Sequence, residues 1–441
     1  MTDFRVEFEW QDPLGARGPE LRATWSWLRI VVNGQPVTRV FDEQSMTVRE
    51  AVHVPLYPLA ESLATHWWSL WNEAPPSQPA DRPDYEARHS LVGAREGYAL
   101  PALRIDPTGG AVILSWYRER LPAHRLEFID SGKFRAEKRL VKREISSFID
   151  TVVGRLQAMG IADSLLQQEW EAIRSADREE REFCECAGSL GLDPYSLAPS
   201  LQQDILEAAN RLPKPIVGEF FHAARTTELP AEAAEISEAL SQAENNETDL
   251  ASLRDLRHIA QGWLKTAGAL PWEQGYSFAQ ELRAHLGLDG TPLKSIESVA
   301  HAVGTTKQDL SPVLTEFPNR DTPFVALMAM NNSLSPAFAL RKARPPSLLF
   351  HFCRAFFEYL CSANQGSALI SEANTEQQKR NRAFAAEWLA PAAALRTHIN
   401  TPTVTWEQTE EVAEEFGVSA FVIRHQLENH RIAHVQDTQN M

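Results

Sequence analysis

Cysteine is scarce: four residues in 441, at positions 184, 186, 353 and 361, with no C-x-x-C pair. So few thiols exclude a disulfide scaffold, and Cys184 and Cys186 have no nearby histidine at zinc-ligand spacing, so they are read as buried free thiols in a reducing compartment. No apolar run reaches the length of a membrane span. The opening MTDFRVEFEW lacks the basic-then-apolar order of a secretion signal. The sequence therefore predicts a cytoplasmic protein with no membrane segment. Positive charge is also in short supply, 43 Lys and Arg against 59 Asp and Glu, for a formal charge of −16. That balance opposes nonspecific attraction to nucleic acid or anionic lipid, though it leaves room for a local basic patch.

What is present divides the chain by periodicity. Through about residue 143 the chemistry is that of strands. In TWSWLRIVVNGQPVTRV, β-branched and aromatic residues flank Asn33-Gly34, the dipeptide best suited to two successive positive φ angles in a tight hairpin. ALPALRID and GGAVILSWYRE form a second candidate pair, turned at Pro107 to Gly110. Between them PLAESLATHWWSLWNE predicts a Trp-rich helix. The tryptophans at 25, 27, 67, 68, 71 and 116 predict an aromatic core for this region.

From Glu144 the spacing becomes helical. Ile145, Phe148, Ile149, Val152, Val153 and Leu156 recur every three or four residues and predict one apolar helix face. Residues 228–250 carry seven acids and no base, which predicts a solvated helix and loop between subdomains. The expected organisation is a β-rich domain over 1–143, a helical region over 144–265 and a third domain over 266–441.

The last region carries a run of motifs in a recognisable order. LPWEQGYSFAQELRAHLGL reads as a helix, SIESVAHAVGTTKQDL as a helix leading to a strand, and FVALMAMNNSLSPAFALRKARPPSLLFHFCRAFFEYL as strands followed by a long apolar helix. QQKRNRAFAAEWLAP and a terminal helix-turn-helix-like segment, WEQTEEVAEEFGVSAFVIRHQLENHRI, come after it. In this order the motifs resemble the ImmA/IrrE family of metallopeptidase-like proteins, over roughly Glu144 to Ile432. The expected fold is α+β: a Trp-rich β domain, which lies outside the resemblance, followed by a mostly helical region that the resemblance implies is zincin-like.

The chemistry of that family depends on an H-E-x-x-H helix. Histidines at i and i+4 share a face and reach one zinc ion, while the glutamate between them activates the bound water. Here the aligned stretch reads His351, Phe352, Cys353, Arg354, Ala355. His351 matches the first ligand, Phe352 stands at the general base and Ala355 at the second ligand. Counting back from Phe384 puts Arg380 at the carboxylate ligand, or Asn381 or Lys379 if the register slips by one. One imidazole with a cation opposite it cannot hold a catalytic zinc. The resemblance therefore implies a pseudo-peptidase with no catalytic residue, no metal, no cofactor and a filled cleft.

Two other features bear on partners. Residues 118–143 hold nine Lys or Arg against four acids, and Lys133, Arg135, Lys138, Arg139, Lys142 and Arg143 mark a contact for nucleic acid or an acidic protein. Arg135, Lys138, Arg139, Lys142 and Arg143 would make one basic helix face, with a solvated face as the plainer reading. The terminal segment Thr405–Ile432 carries six glutamates against two arginines, which favours packing on its own domain over DNA reading. The expected function is a noncatalytic regulatory or scaffold protein that binds a protein partner. The family resemblance implies a bacterial stress, toxin–antitoxin or phage-defence setting. A nucleic-acid-binding regulator using 133–143 and a hydrolase with unrecognised residues remain as alternatives.

Overall fold

The computed structural model describes residues 3–13, 17–246, 248–264, 269–317, 321–362 and 366–436. It is a mixed α+β protein in two compact units, Met1–Leu206 and Glu207–Met441. The division falls inside the helical region expected over 144–265, because the first helices of that region complete the core of the strands before them.

In the first unit, β1 (Phe4–Trp10), β2 (Trp25–Val32), β3 (Gln35–Pro36) and β6 (Val52–Pro55) form one antiparallel sheet centred on β2. A second sheet runs in the order β5 (Thr47–Arg49), β4 (Val40–Asp42), β10 (Leu126–Phe128), β9 (Glu119–Leu121). The third has β8 (Ala111–Tyr117) between β7 (Ala102–Thr108) and β11 (Gly132–Glu137). Both expected hairpins form. Asn33 and Gly34 take φ of 48° and 78°, the pair of positive angles that a two-residue turn matched to strand twist requires. The second turn is tighter than expected: β7 continues through Pro107 and Thr108, and Thr108 pairs with Ala111.

Helices α1 (Pro19–Ala23), α2 (Tyr57–Thr65), α3 (Trp67–Asn72), α4 (Arg82–His89), α5 (Lys138–Ala158), α6 (Leu165–Ser175) and α7 (Arg178–Ser189) complete this unit. The Trp-rich stretch is two helices, α2 and α3, separated at His66. Trp67, Trp68, Trp71 and Trp116 are buried as expected, whereas Trp25 and Trp27 are only half-buried. Strand alternation is the reason: Ser26, Leu28, Ile30 and Val32 are buried on one face of β2, so Trp25 and Trp27 take the opposite face with Arg29 and Val31, of which only Val31 is buried. On α5 the expected apolar face is seen, with Ile145, Phe148, Ile149, Val152 and Leu156 in the same core as the sheets.

Helix α8 (Pro199–Arg211) spans the boundary between the units. The second unit is built on a four-stranded sheet in the order β12 (Leu314–Glu316), β14 (Pro336–Leu340), β13 (Phe324–Met330), β15 (Ala368–Ser371), with β12 parallel to β14 and the other pairs antiparallel. Every residue of β13 and β14 is buried, so both faces of the sheet are covered. The helices before and around it are α9 (Lys214–Phe221), α10 (Leu229–Glu244), α11 (Ala251–Ala260), α12 (Pro271–His285), α13 (Ile296–Ala302) and α14 (Lys307–Leu310). Then come α15 (Pro345–Cys361), α16 (Glu376–Leu389), α17 (Ala392–His398), α18 (Trp406–Phe416) and α19 (Ala420–Asn429). The short strands β16 (Thr403–Val404) and β17 (His434–Val435) pair in parallel beside the last two helices.

The acidic stretch 228–250 is not a solvated spacer. Its helix α10 lies against β13 and β14 and buries Leu229, Ala233, Ile236 and Leu240. Glu232 is buried with them, accepting from Arg225 Nε at 2.8 Å. Glu247 lies outside the described residues. Among the described residues no helix is long and apolar enough to cross a membrane.

Candidate functional site

The helix singled out by sequence, α15, packs against β13, β14, β15 and α16. It starts with two prolines at its N-terminus, where a missing backbone N–H costs nothing. Helical spacing sorts its side chains by neighbour. Phe352 meets Phe338 of β14 edge-on at 5.2 Å and stacks on Phe356, so the position of the expected general base is part of the apolar packing on the sheet. Ala355 is completely buried. Arg354 and Glu358, four residues apart, lie toward α16.

Those two residues anchor a buried polar network that sequence reading missed. Arg354 donates from Nε to Asn381 Oδ1 at 2.8 Å, and from Nη2 to the Ser371 carbonyl and Gln378 Oε1, both at 2.7 Å. Asn381 Nδ2 donates to Glu358 Oε1 at 3.2 Å. Gln378 Nε2 and Thr375 Oγ1 each donate to Glu219 Oε2 at 2.9 Å. One guanidinium thus joins α15, β15 and α16, and through Gln378 the network reaches α9. A lone arginine and a lone glutamate in an otherwise apolar helix were the available signal, since a buried charge needs partners from elsewhere in the fold.

Burial governs the charges here. It pushes the Glu358 carboxyl up to about 7, against the pull of Arg380 and the Asn381 hydrogen bond. It also raises Glu219 and lowers Arg354. The thiol of Cys353 is buried and raised in the same way, which makes it inert as a nucleophile.

His351 stands apart from these bonds. Its Nδ1 is buried without a hydrogen-bond partner, and burial with the nearby Arg354 and Arg341 pushes it down to about 3, so the ring is neutral at ordinary pH. Two guanidiniums beside an imidazole repel a metal cation as they repel a proton. Of the three registers open for the third ligand, Asn381 is the residue that bonds to α15, while Arg380 reaches toward α12, with Nη1 3.4 Å from Gln274 Oε1. Among the described residues no group of three His, Cys, Asp or Glu is placed to hold a metal ion.

The basic segment is divided by the fold. The helix starts at Lys138, so Lys133 and Arg135 lie on β11, exposed on one face of the strand. Lys138 Nζ donates to the Trp71 carbonyl at 3.2 Å, and Lys142 Nζ lies 5.2 Å and 5.8 Å from the Trp67 and Trp71 ring centres. Burial lowers the Lys142 ammonium below its ordinary range. Of the four expected cations that lie on α5, Arg139 and Arg143 are exposed, while Lys138 and Lys142 are half-buried. The single basic face is corrected accordingly: positions i and i+4 of the helix turn inward onto tryptophan because α3 packs beside α5.

The terminal segment does form helix, turn and helix, with Gly417 at φ 69° closing α18. It docks on its own unit: Gln426 Nε2 donates to Glu387 Oε2 at 2.8 Å and to the Ala390 carbonyl at 2.9 Å, and His430 Nε2 lies 3.3 Å from Glu387. Comparison with protein-family models, curated proteins and solved structures finds no match to this chain. The site is therefore interpreted from its own geometry.

Proposed function

We propose that this chain is a noncatalytic regulatory or scaffold protein built on an inactivated, zincin-like peptidase fold, and that it acts by binding a protein partner. The observation that carries the reading is the packing at the positions that the resemblance gives to zinc chemistry: Phe352 lies against Phe338 of the sheet, Ala355 is fully buried and Arg380 reaches toward α12. Beside them Arg354 holds α15 to β15 and α16 through Asn381, Ser371 and Gln378, and its guanidinium near His351 repels a metal cation. Phe352 and Ala355 supply packing where a base and a ligand would have left polar groups unpaired, a saving of about 1–3 kcal/mol for each such group. Stress response, toxin–antitoxin control or phage defence is the setting that the family resemblance suggests.

Affinity purification of the full chain from its native host, with and without nuclease, tests this reading. A protein that co-elutes at fixed stoichiometry after nuclease treatment is the expected result. Recovery of nucleic acid alone, lost when Lys133, Arg135, Arg139 and Arg143 are neutralised, would replace it with the nucleic-acid reading; these four cations are exposed on the first unit.

A further inference from the structure

On the far side of α16 from the first turns of the Arg354 network, α12, α16 and α19 enclose a groove of about 700 Å³, within the range of roughly 300–1,000 Å³ typical of small-ligand sites. Three kinds of group meet in its wall. Trp272 and Phe421 are large aromatics left 43% and 60% exposed. The Phe421 ring is held in place by an edge contact with Trp406 at 5.2 Å. Exposed aromatics held rigid in a concave wall are platforms for a flat ring.

The second group is cationic. Lys379 and Arg382 line the groove with a single carboxylate, Glu273, which accepts the Leu270 backbone N–H at 2.9 Å. Arg382 donates from Nη2 to the carbonyls of Glu372 and Ala373, both at 2.8 Å, bonds that do not themselves neutralise its charge, with the carboxylates of Glu372 and Glu219 nearby. A local excess of positive charge in a chain of net charge −16 attracts an anion.

The third group is Gln426, a fully buried side chain in the groove wall. Its hydrogen bonds to the protein are made by Nε2, to the Glu387 carboxylate and the Ala390 carbonyl, so the amide cannot be flipped without facing oxygen with oxygen. Its Oε1 is thereby fixed as an acceptor, and no protein donor reaches it. A buried acceptor left open is costly, and an N–H from a bound ligand would offset that cost.

We propose that this groove binds a nucleotide, with its base against Trp272 and Phe421, an N–H of the base edge donated to Gln426 Oε1, and its phosphate beside Arg382 and Lys379. A base supplies the ring and the edge donor, and the phosphate supplies the anion; an acidic peptide would match the charge but would use the ring platforms and the fixed acceptor only by chance of sequence. The inference does not depend on the fold having once been a peptidase.

The full chain is titrated by calorimetry at low salt with AMP, GMP, CMP and UMP, and with adenosine and inorganic phosphate as halves of the ligand. At least one nucleotide is expected to bind tenfold or more tightly than either half. Phe421→Ala and Lys379→Gln are each expected to weaken it at least fivefold; thermal melting of both variants, measured alongside, separates loss of the groove from loss of the fold, since Phe421 is exposed and Lys379 half-buried. No binding by any of the four nucleotides, phosphate binding as tightly as the nucleotides, or binding unaffected by both variants would each overturn the proposal. So would tight binding of an acidic, aromatic-bearing peptide in the absence of nucleotide binding.

Discussion

Arg354 donates to Asn381 across the α15–α16 contact at 2.8 Å, and the same guanidinium bonds to Ser371 and Gln378. Gln378 Oε1 also accepts from Ser371 N at 3.1 Å and Asn381 Nδ2 at 3.3 Å, so the loss of Arg354 falls chiefly on Asn381 Oδ1. Replacing Arg354 with Met removes the donor but leaves Asn381 Oδ1 and the Ser371 carbonyl buried. The expected loss is about 3–5 kcal/mol, the scale for breaking a buried charged network, read as a shift of the urea midpoint at constant slope. Arg354→Lys restores charge but not the planar fork, and should recover only part of the loss.

Glu358 predicts a pH dependence. Its folded-state carboxyl titrates at about 7, above the ordinary 4.5, so the folded protein binds this proton more tightly than the unfolded chain. The contribution to stability is complete below the unfolded value and drains away as pH rises through about 7. Arg380, Arg354 and Glu219 are the charges that act on it. Between about pH 5 and about pH 8 the protein should lose stability relative to Glu358→Gln, by up to about 3 kcal/mol at roughly 1.4 kcal/mol per unit. Parallel urea titrations of the two proteins across this range measure the difference.

Gly275 sets the distance between α12 and α16. A Cβ at this position would meet the Arg380 carbonyl, come within 2.8 Å of Phe384 N and lie 2.9 Å from Ala383 Cβ. Backbone atoms cannot yield as a side-chain tip can, so Gly275→Ala should push the helices apart and cost about 1–3 kcal/mol. Chemical denaturation reads this directly. The same displacement should also weaken any ligand held by Trp272 and Lys379.

These residues show what the sequence made legible. Local signals were reliable: Asn33-Gly34 specified its turn, and the spacing from Ile145 to Leu156 specified the buried face of α5, because both depend on neighbours in the chain. Composition misled where it was averaged over a segment. The acids of 228–250 concealed the apolar series Leu229, Ala233, Ile236 and Leu240, whose spacing is that of a core helix. Phe352 and Ala355, at the positions where the resemblance would place a base and a ligand, were visible in sequence, but the Arg354 network was not. Its partners come from residues 371, 378 and 381, and only the fold brings them together.

Lys142 is expected to matter for stability and Arg139 is not. Lys142 lies over two tryptophan rings and is partly buried, so Lys142→Ala should cost about 1–2 kcal/mol. Arg139 makes an exposed bond to Glu137 at 3.0 Å, and Arg139→Ala should change stability by less than about 0.5 kcal/mol. Thermal melting of the two variants side by side distinguishes a structural lysine from a solvated arginine.

The proposal leaves α15 without a catalytic metal, the positions that the family resemblance gives to zinc chemistry being occupied by Phe352, Ala355 and Arg380. Its most direct test is the zinc content of the full chain, measured by elemental mass spectrometry after equilibration with zinc and gel filtration, for the protein and for His351→Ala. The account predicts far less than one zinc per chain, unchanged by the substitution. One zinc per chain that disappears in His351→Ala, together with cleavage of casein, would contradict it.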